Sequence, residues 1–264
     1  MIDGAIPYLR CPVCGEPLAR RERALRCPRG HSFDMAKQGY ADLSAGRLPH
    51  SGDTAGMVAD RAAFLGAGHY DFIADALAGH RTDGLVLDAG TGTGDYLARF
   101  LDASPSATGL GLDVSKPALR RAARAHERAA AVLTDLWRPL PVADASASVI
   151  LNVFAPRNGA EFRRVLRPDG VLLVVTPAAD HLAELIAEHG LISVDPDKAA
   201  RVSGSLDAHF SRVSRTALRR SLDLDGTEAR TLIGMTPSAR HADISDLSGG
   251  KVTAAVDLTV YRPR

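Results

Sequence analysis

Residues 86–94 read Val86-Leu87-Asp88-Ala89-Gly90-Thr91-Gly92-Thr93-Gly94, an apolar run that ends in an acidic residue and a glycine-rich loop. The glycines allow a tight turn, and they let a ligand approach the backbone without meeting a Cβ atom. Loops of this kind lie at the carboxyl edge of a parallel sheet. The spacing is not the G-x-G-x-x-G of dinucleotide-binding proteins, because here every second residue is glycine. We predict a nucleotide-like ligand at this loop.

Strand-like and helix-like segments alternate beyond the loop. Short apolar runs at 110–114, 131–134, 148–154 and 171–176 are separated by segments with helical spacing. Alternating strands and helices predict a mostly parallel, doubly wound sheet covered on both faces, in an α/β domain over residues 83–264. Strict apolar alternation from Val252 to Val260 predicts a final strand. Residues 190–225 show no clear pattern.

Three carboxylates follow the first three predicted strands in chain order. Asp88 precedes the glycines, Asp113 is placed to accept both hydroxyls of a ribose, and Asp135 is placed near an adenine amino group. This order resembles the S-adenosylmethionine loop of class I, Rossmann-like methyltransferases, and the alternative is a glycine turn beside ordinary exposed acids. The predicted cofactor-binding residues are Asp88, Gly90, Gly92, Gly94, Asp113 and Asp135.

The N-terminal segment carries every cysteine of the chain. Cys11-x2-Cys14 and Cys27-x3-His31 form two chelating pairs, and three thiolates with one imidazole favour a closed, structural zinc site. Unrelated buried cysteines beside an exposed histidine are the alternative, and such a module is also compatible with a role that only caps the fold. We predict a zinc-binding domain at residues 1–40 and a helical linker at 41–82.

Composition and charge exclude several classes of protein. With 45% hydrophobic and 24% charged residues the chain is globular, and no apolar run approaches the roughly 20 residues of a membrane span. Three clustered cysteines argue against a disulfide framework, so we expect a cytoplasmic protein without membrane insertion. The net charge is only +1, but arginines concentrate around the metal ligands. Phosphate contact requires such a density, although a solvated basic face would look the same.

Asn152 ends the fourth predicted strand, inside Leu151-Asn152-Val153-Phe154-Ala155-Pro156-Arg157. The acceptor atom of a methyl-transfer reaction would meet the methyl group at that edge of the sheet. An amide oxygen there is suited to accept a hydrogen bond from the nucleophile. A strand-terminating asparagine beside a proline turn is the structural alternative, and the sequence does not separate the two.

Taken together, these motifs resemble the RlmA-type 23S rRNA guanine-N1 methyltransferases over nearly the whole chain, and within them the TlrB-like macrolide-resistance branch. The resemblance includes both metal-binding pairs, residues 31–40, the glycine loop, and the runs 113–117 and 152–157. It also includes Asp53, Met57, Arg61, Gly68-His69-Tyr70, Thr176-Pro177, Asp180-His181-Leu182 and Met235-Thr236-Pro237.

The resemblance implies methyl transfer from S-adenosylmethionine to N1 of a guanine in a 23S rRNA hairpin near the peptide exit tunnel. It further implies a zinc module that helps to grip the RNA, a homodimer, and protection from tylosin-like macrolides in one branch. Asn152 and His181 are the candidate catalytic residues, and Tyr70 and Arg61 are candidate pocket residues. For His181 the alternative is a histidine that caps the helix after Thr176-Pro177.

Two other functions stay open at this stage. A zinc-containing methyltransferase acting on a small molecule is favoured by the acidic balance of the main domain. A protein that binds S-adenosylmethionine without turnover is the third class. RNA binding that weakens steeply with salt would separate the first function from both.

Overall fold

The computed structural model describes residues 2–49, 52–191, 204–236 and 247–264. A three-stranded antiparallel sheet lies in the N-terminal module, and an eight-stranded sheet with flanking helices forms the remainder. In chain order the elements are α1 (Ile2–Ala5), a 3-10 turn (Ile6–Tyr8), β1 (Ala19–Arg21), β2 (Ala24–Arg26), β3 (Ser32–Asp34), β4 (Ala41–Asp42), α2 (Ala55–Gly66), α3 (Asp71–Ala78), β5 (Leu85–Ala89), α4 (Asp95–Asp102), β6 (Thr108–Asp113), α5 (Lys116–Ala122), β7 (Ala129–Leu133), β8 (Ala147–Val153), α6 (Gly159–Val165), β9 (Leu166–Pro177), α7 (Ala183–His189), β10 (Phe210–Leu224), α8 (Gly226–Gly234) and β11 (Gly250–Pro263).

The large sheet has the strand order β10-β11-β9-β8-β5-β6-β7-β4. Strands β4 to β9 all run parallel to one another, and β11 is antiparallel to both β9 and β10. The chain proceeds from β5 through β6 to β7, then returns to place β8 on the other side of β5. Ligands of such sheets bind in the crevice where the strand order reverses, beyond the carboxyl ends of the strands. The predicted doubly wound α/β fold is confirmed, and the crevice lies at the glycine loop.

Burial explains why the central strands could be recognised in the sequence. Every residue of β5 and β7 is buried, as expected for parallel strands covered on both faces. The predicted final strand is present as β11. In the segment without a clear pattern, β10 occupies the open edge of the sheet and is exposed along most of its length. Residues 192–203 of that segment lie outside the described residues.

The N-terminal module is built into the large sheet. Ala41 and Asp42, in the range predicted as a helical linker, form β4 and pair in parallel with Val132 and Leu133 of β7. Leu9 bridges Val142 on the other side of the module. Buried side chains around the metal ligands and those of β5 and β8 form one continuous core.

The range predicted as a helical linker, residues 41–82, contains the two helices α2 and α3. Thr54 caps α2, and its hydroxyl oxygen accepts a hydrogen bond from the Met57 backbone N–H at 3.3 Å. Across the described ranges, no helix combines the length and the apolar character needed to cross a bilayer.

Candidate functional site

Cys11, Cys14, Cys27 and His31 converge on one point, with their ligand atoms all within 4.8 Å of one another. The Sγ atoms of Cys14 and Cys27 are 3.7 Å apart, and the Sγ of Cys27 is 3.3 Å from Nδ1 of His31. Two thiolates on one tetrahedral zinc ion, each about 2.3 Å from it, are separated by about 3.8 Å. The four predicted ligands therefore fit a zinc ion and leave no position for a substrate.

Tight turns present these ligands. Gly15 and Gly30 adopt φ values of +75° and +86°, and their N–H groups donate to the carbonyls of Cys11 and Cys27. Burial raises the pKa of Cys27, but hydrogen bonds with the backbone of His31 and Arg29 and with the side chains of His31 and Cys14 lower it, and the net pKa falls to about 6. The thiolate that zinc requires is thus favoured at neutral pH.

The glycine loop follows β5 at the carboxyl edge of the large sheet. Gly90, Gly92 and Gly94 have φ values of +88°, +55° and +89°, which favour glycine. A Cβ atom on Gly90 would lie 2.3 Å from Cβ of Ala155, and one on Gly94 would lie 2.9 Å from Cα of Ala122. Backbone conformation and close approach both explain these glycines.

Asp88 is buried at the end of β5 with 1% of its surface exposed. Its carboxylate accepts a hydrogen bond from the Thr91 hydroxyl at 2.7 Å. Burial raises the pKa of Asp88 to about 7, an effect that the Thr91 bond only partly offsets. Through this hydrogen bond the Asp88 side chain holds the glycine loop against the end of β5.

Asp113 and Asp135 lie beside the loop at the ends of β6 and β7. The two oxygens of Asp113 accept the backbone N–H groups of Gly92 and Ser115, each at 2.8 Å. Burial raises the pKa of Asp113 in spite of these donors. Asp135 accepts the N–H of Trp137 at 2.9 Å, and the Trp137 side chain is exposed. The structure thus brings the predicted cofactor-binding residues to one edge of the sheet.

Arg61 on α2 covers the glycine loop from the outside. Its guanidinium pairs with Asp53 at 2.7 Å and donates to the Met235 carbonyl at 3.0 Å. A Cβ on Gly92 would be 3.1 Å from Nη1 of Arg61. The Ser115 hydroxyl donates to the Asp53 carbonyl, which fixes Asp53, the partner of Arg61, to the start of α5.

Asn152 is fully buried in β8, next to β5. Its Nδ2 donates to the carbonyls of Ala89 at 3.1 Å and Pro156 at 2.9 Å, which fixes the orientation of the amide. Its Oδ1 is buried and has no hydrogen-bond partner among the described residues. An unpaired buried acceptor costs stability, and because Asn152 has no exposed surface, a ligand donor reaches its Oδ1 only when neighbouring side chains move aside. The amide also supports the turn, as the structural alternative expects.

Three rings lie beside Asn152 at the same edge. Phe154 and His181 are stacked with centroids 6.0 Å apart, and Tyr70 lies 6.4 Å from Phe154. Nε2 of His181 is 3.5 Å from the Tyr70 hydroxyl, and burial raises the pKa of that hydroxyl well above its ordinary value. Helix α7 has its N-cap at Leu182 and no side-chain cap, so His181 does not cap that helix; its Nδ1 instead accepts the Ala255 N–H at 3.2 Å.

Comparison with known proteins identifies both parts of the chain. The family model described as "RlmA, N-terminal", a zinc ribbon, matches residues 9–45, and the model described as "Methyltransferase domain" matches residues 86–170. A Streptomyces fradiae protein named 23S rRNA (guanine(748)-N(1))-methyltransferase is 46% identical, over 100% of this chain and 99% of its own. A Micromonospora griseorubida protein with a 23S rRNA (guanine-N(1)-)-methyltransferase name is 54% identical, over 98% of both chains.

The chain belongs to the 23S rRNA (guanine-N1)-methyltransferases. It is therefore an S-adenosylmethionine-dependent methyltransferase with a structural zinc ribbon, and both predicted cofactors fit the residues described above. The fold is also that of the YcgJ protein from Bacillus subtilis, with a TM-score of 0.50 and 20% identity over 74% of this chain and 99% of the other.

Several features of this methyltransferase site have no local signal in the sequence. Phe154 has a left-handed backbone and an exposed ring, and Trp137 is exposed on the neighbouring loop. The contact between Tyr70 and His181 joins residues that are far apart in the chain. The resemblance to known relatives did single out Tyr70, Arg61 and His181, because it depends on the whole fold rather than on spacing.

Proposed function

We propose that this methyltransferase modifies N1 of a guanine in a 23S rRNA hairpin near the peptide exit tunnel. The target would correspond to guanine 748 in the name of the Streptomyces fradiae relative. Identity of about half over the full length of both chains is the observation that carries the proposal, because it spans the zinc ribbon and the catalytic domain together.

The cofactor lies across the glycine loop in this proposal. S-adenosylmethionine, when bound, supplies a methyl group activated by its sulfonium. Each oxygen of Asp113 accepts one backbone N–H, and a carboxylate oxygen has a second lone pair, so Asp113 remains able to accept ribose hydroxyls. Asp135 is placed for the adenine amino group. The guanidinium of Arg61, above Gly92, is the cation for the cofactor's carboxylate.

Asn152 is the residue that we assign to binding the guanine that accepts the methyl group. Guanine N1 carries a proton inside a base pair, so the base must leave the duplex before it reacts. The Oδ1 of Asn152, held inward by the Ala89 and Pro156 carbonyls, accepts a hydrogen bond from the N–H edge of the guanine. N1 then forms the bond to the methyl carbon as the carbon–sulfur bond breaks, the bonding pair stays on sulfur, and the N1 proton passes to solvent water. Positioning supplies much of the acceleration.

The zinc ribbon contributes RNA affinity in this proposal. Arg21 and Arg23 lie exposed on and beside the β1–β2 hairpin, whereas Arg20 is paired with Asp3 at 2.6 Å. Exposed guanidinium groups on a rigid module suit phosphate contact. We further propose that the enzyme acts in the cytoplasm as a homodimer and protects ribosomes from tylosin-like macrolides.

Methylation of defined RNA tests the proposal. Purified protein is incubated with labelled S-adenosylmethionine and unmodified 23S rRNA, and primer extension maps the product, because a methyl group on N1 blocks pairing. A single stop at a hairpin guanine is expected. Incorporation into neither free RNA nor intact large subunits, while the cofactor still binds, would redirect the search to a small-molecule acceptor.

The role of Asn152 is tested in the same assay. Asn152→Ala removes the acceptor, and turnover should fall roughly 10- to 100-fold because a buried hydrogen bond is lost at the reacting base. Cofactor affinity, followed by fluorescence of the single tryptophan Trp137, should change little. Asn158→Ala is the matched control, since that amide caps α6 and binds the Leu136 carbonyl. Equal turnover in both variants would remove Asn152 from the mechanism.

A further inference from the structure

Phe154 combines two features that both lower the stability of the folded protein. The residue is 42% exposed, and its backbone has a φ of +51°, a region that bulky side chains rarely occupy. The backbone is held there by a hydrogen bond from the Phe154 N–H to the Val175 carbonyl at 3.1 Å. Strain of this kind persists mainly where function requires the side chain to point in one direction.

Rings behind Phe154 hold it in place. His181 stacks on it with an interplanar angle of 29°, and the Tyr70 centroid lies 6.4 Å from that of Phe154 and 6.3 Å from that of His181, so the three rings form a triangle. The Ala255 N–H of β11 donates to Nδ1 of His181 at 3.2 Å, so Nδ1 carries a lone pair and Nε2 carries the hydrogen. Nε2 faces the Tyr70 hydroxyl at 3.5 Å. The orientation of the imidazole is therefore fixed by β11 and α3.

The outer surface of Phe154 lies at the place where an acceptor must arrive. Asn152, with its unpaired Oδ1, is two residues earlier in the chain. Ala155, the next residue, contacts the glycine loop at Gly90. An exposed aromatic ring beside a buried hydrogen-bond acceptor suits a flat base that must be recognised by one face and one edge.

We propose that the target guanine, once it leaves the duplex, stacks on Phe154, and that His181 and Tyr70 are positioning residues for that ring. This inference rests on the RNA substrate proposed above. His181 is assigned to positioning because its Nδ1 is occupied by the Ala255 N–H and its Nε2 bears a hydrogen. The ring's one lone pair, on Nδ1, is therefore engaged by Ala255 and not available to receive the N1 proton.

Hairpin affinity with and without the target base tests the stacking directly. The probes are the RNA hairpin around the guanine mapped by primer extension, and the same hairpin with an abasic site at that guanine, both with S-adenosylhomocysteine. Phe154→Leu should weaken binding of the intact hairpin by roughly tenfold, the loss typical of one base–aromatic stack. It should leave binding of the abasic hairpin unchanged, and Phe154→Tyr should bind as the parent does. Equal losses for both hairpins, or no loss, would overturn the assignment.

Two further variants separate stacking from folding. Phe154→Gly and Phe154→Ala both lose the ring, but glycine accepts a φ of +51° without strain, so the glycine variant should unfold at a higher temperature than the alanine variant. Both should lose the same hairpin affinity. Phe72→Leu is the matched control, because that ring packs on Tyr70 at 6.0 Å beneath the Arg220 guanidinium. Selective loss of the intact hairpin in the Phe72 variant would assign the effect to loosening of the cluster.

The outcomes distinguish this inference from the function beneath it. A parent enzyme that methylates no RNA overturns both. A parent enzyme that gives the expected stop, together with a Phe154→Leu variant of parental affinity, overturns only the stacking. His181→Gln, whose amide can replace Nε2–H toward Tyr70, should keep the pH profile of turnover and raise the KM for RNA. A pH profile that changes in this variant would instead assign proton transfer to His181.

Discussion

Replacement of the buried Asp88 by asparagine should stabilise the protein at neutral and alkaline pH. The carboxyl group of Asp88 is 1% exposed, and burial raises its pKa from 3.8 to about 7. Since one pKa unit corresponds to about 1.36 kcal/mol, the ionised side chain costs about 4 kcal/mol of folding stability above pH 7. Asparagine keeps an acceptor for the Thr91 hydroxyl and carries no charge to desolvate.

The sign of the pH dependence follows from the raised pKa of Asp88. Below about pH 4 the folded and unfolded chains both hold the proton, so the group has no effect on stability. Between about pH 4 and 7 only the folded chain holds it, and stability falls by about 1.4 kcal/mol for each unit of rising pH. Above pH 7 the full penalty applies. The advantage of Asp88→Asn should therefore grow from pH 4 to 7 and then level off.

Denaturant unfolding of the zinc-loaded, cofactor-free protein at pH 5, 6, 7 and 8 measures this advantage. The difference between parent and variant reports Asp88 together with its electrostatic coupling to Asp113, because titrating groups that do not interact with Asp88 contribute equally to both. Asp83→Asn, at an exposed position just before β5, controls for loss of an acidic side chain as such. A difference that stays constant from pH 5 to 8, or a variant less stable than the parent at pH 8, would refute the reasoning.

Three shorter predictions concern the loop, the cofactor and the metal. Gly90→Ala should destabilise the folded protein by roughly 2 kcal/mol more than Gly30→Ala, as measured by thermal unfolding. The two glycines have nearly the same φ, but only at Gly90 would the new Cβ atom clash, with the side chain of Ala155. Arg61→Met should weaken S-adenosylhomocysteine binding roughly 10- to 100-fold and leave 5′-methylthioadenosine binding unchanged, because only S-adenosylhomocysteine has a carboxylate. Equal losses for the two ligands in calorimetry would show that Arg61 does not bind the carboxylate. Zinc chelation should lower the melting temperature of the whole protein by at least about 10 °C, because the ribbon and the sheet share one core, and an unchanged main transition would contradict that coupling.

The zinc ligands and the glycine loop could be predicted from the sequence because each is formed by residues that are close together in the chain. Cys11 and Cys14 meet zinc from one turn, and the glycine loop is a single strand-to-helix connection, so spacing alone carries the information. The strand β10 was missed because an exposed edge strand rich in arginine has no apolar alternation to detect. The strained backbone of Phe154 depends on Val175 and the contact of His181 on Ala255, and both partners belong to other strands.

Strand β4 also affects how the protein can be divided and how it folds. The N-terminal ribbon emerges from the ribosome first, but β4 must wait for β7, about ninety residues later, and such non-local pairing slows folding. Zinc holds the ribbon together during that interval. A catalytic domain that began after β4 would lose these pairs and leave the backbone groups of Val132 and Leu133 without their β4 partners at the edge of the all-apolar β7. Unprotected edges of that kind recruit other chains, so β4 shields this edge of the methyltransferase sheet from pairing with another molecule.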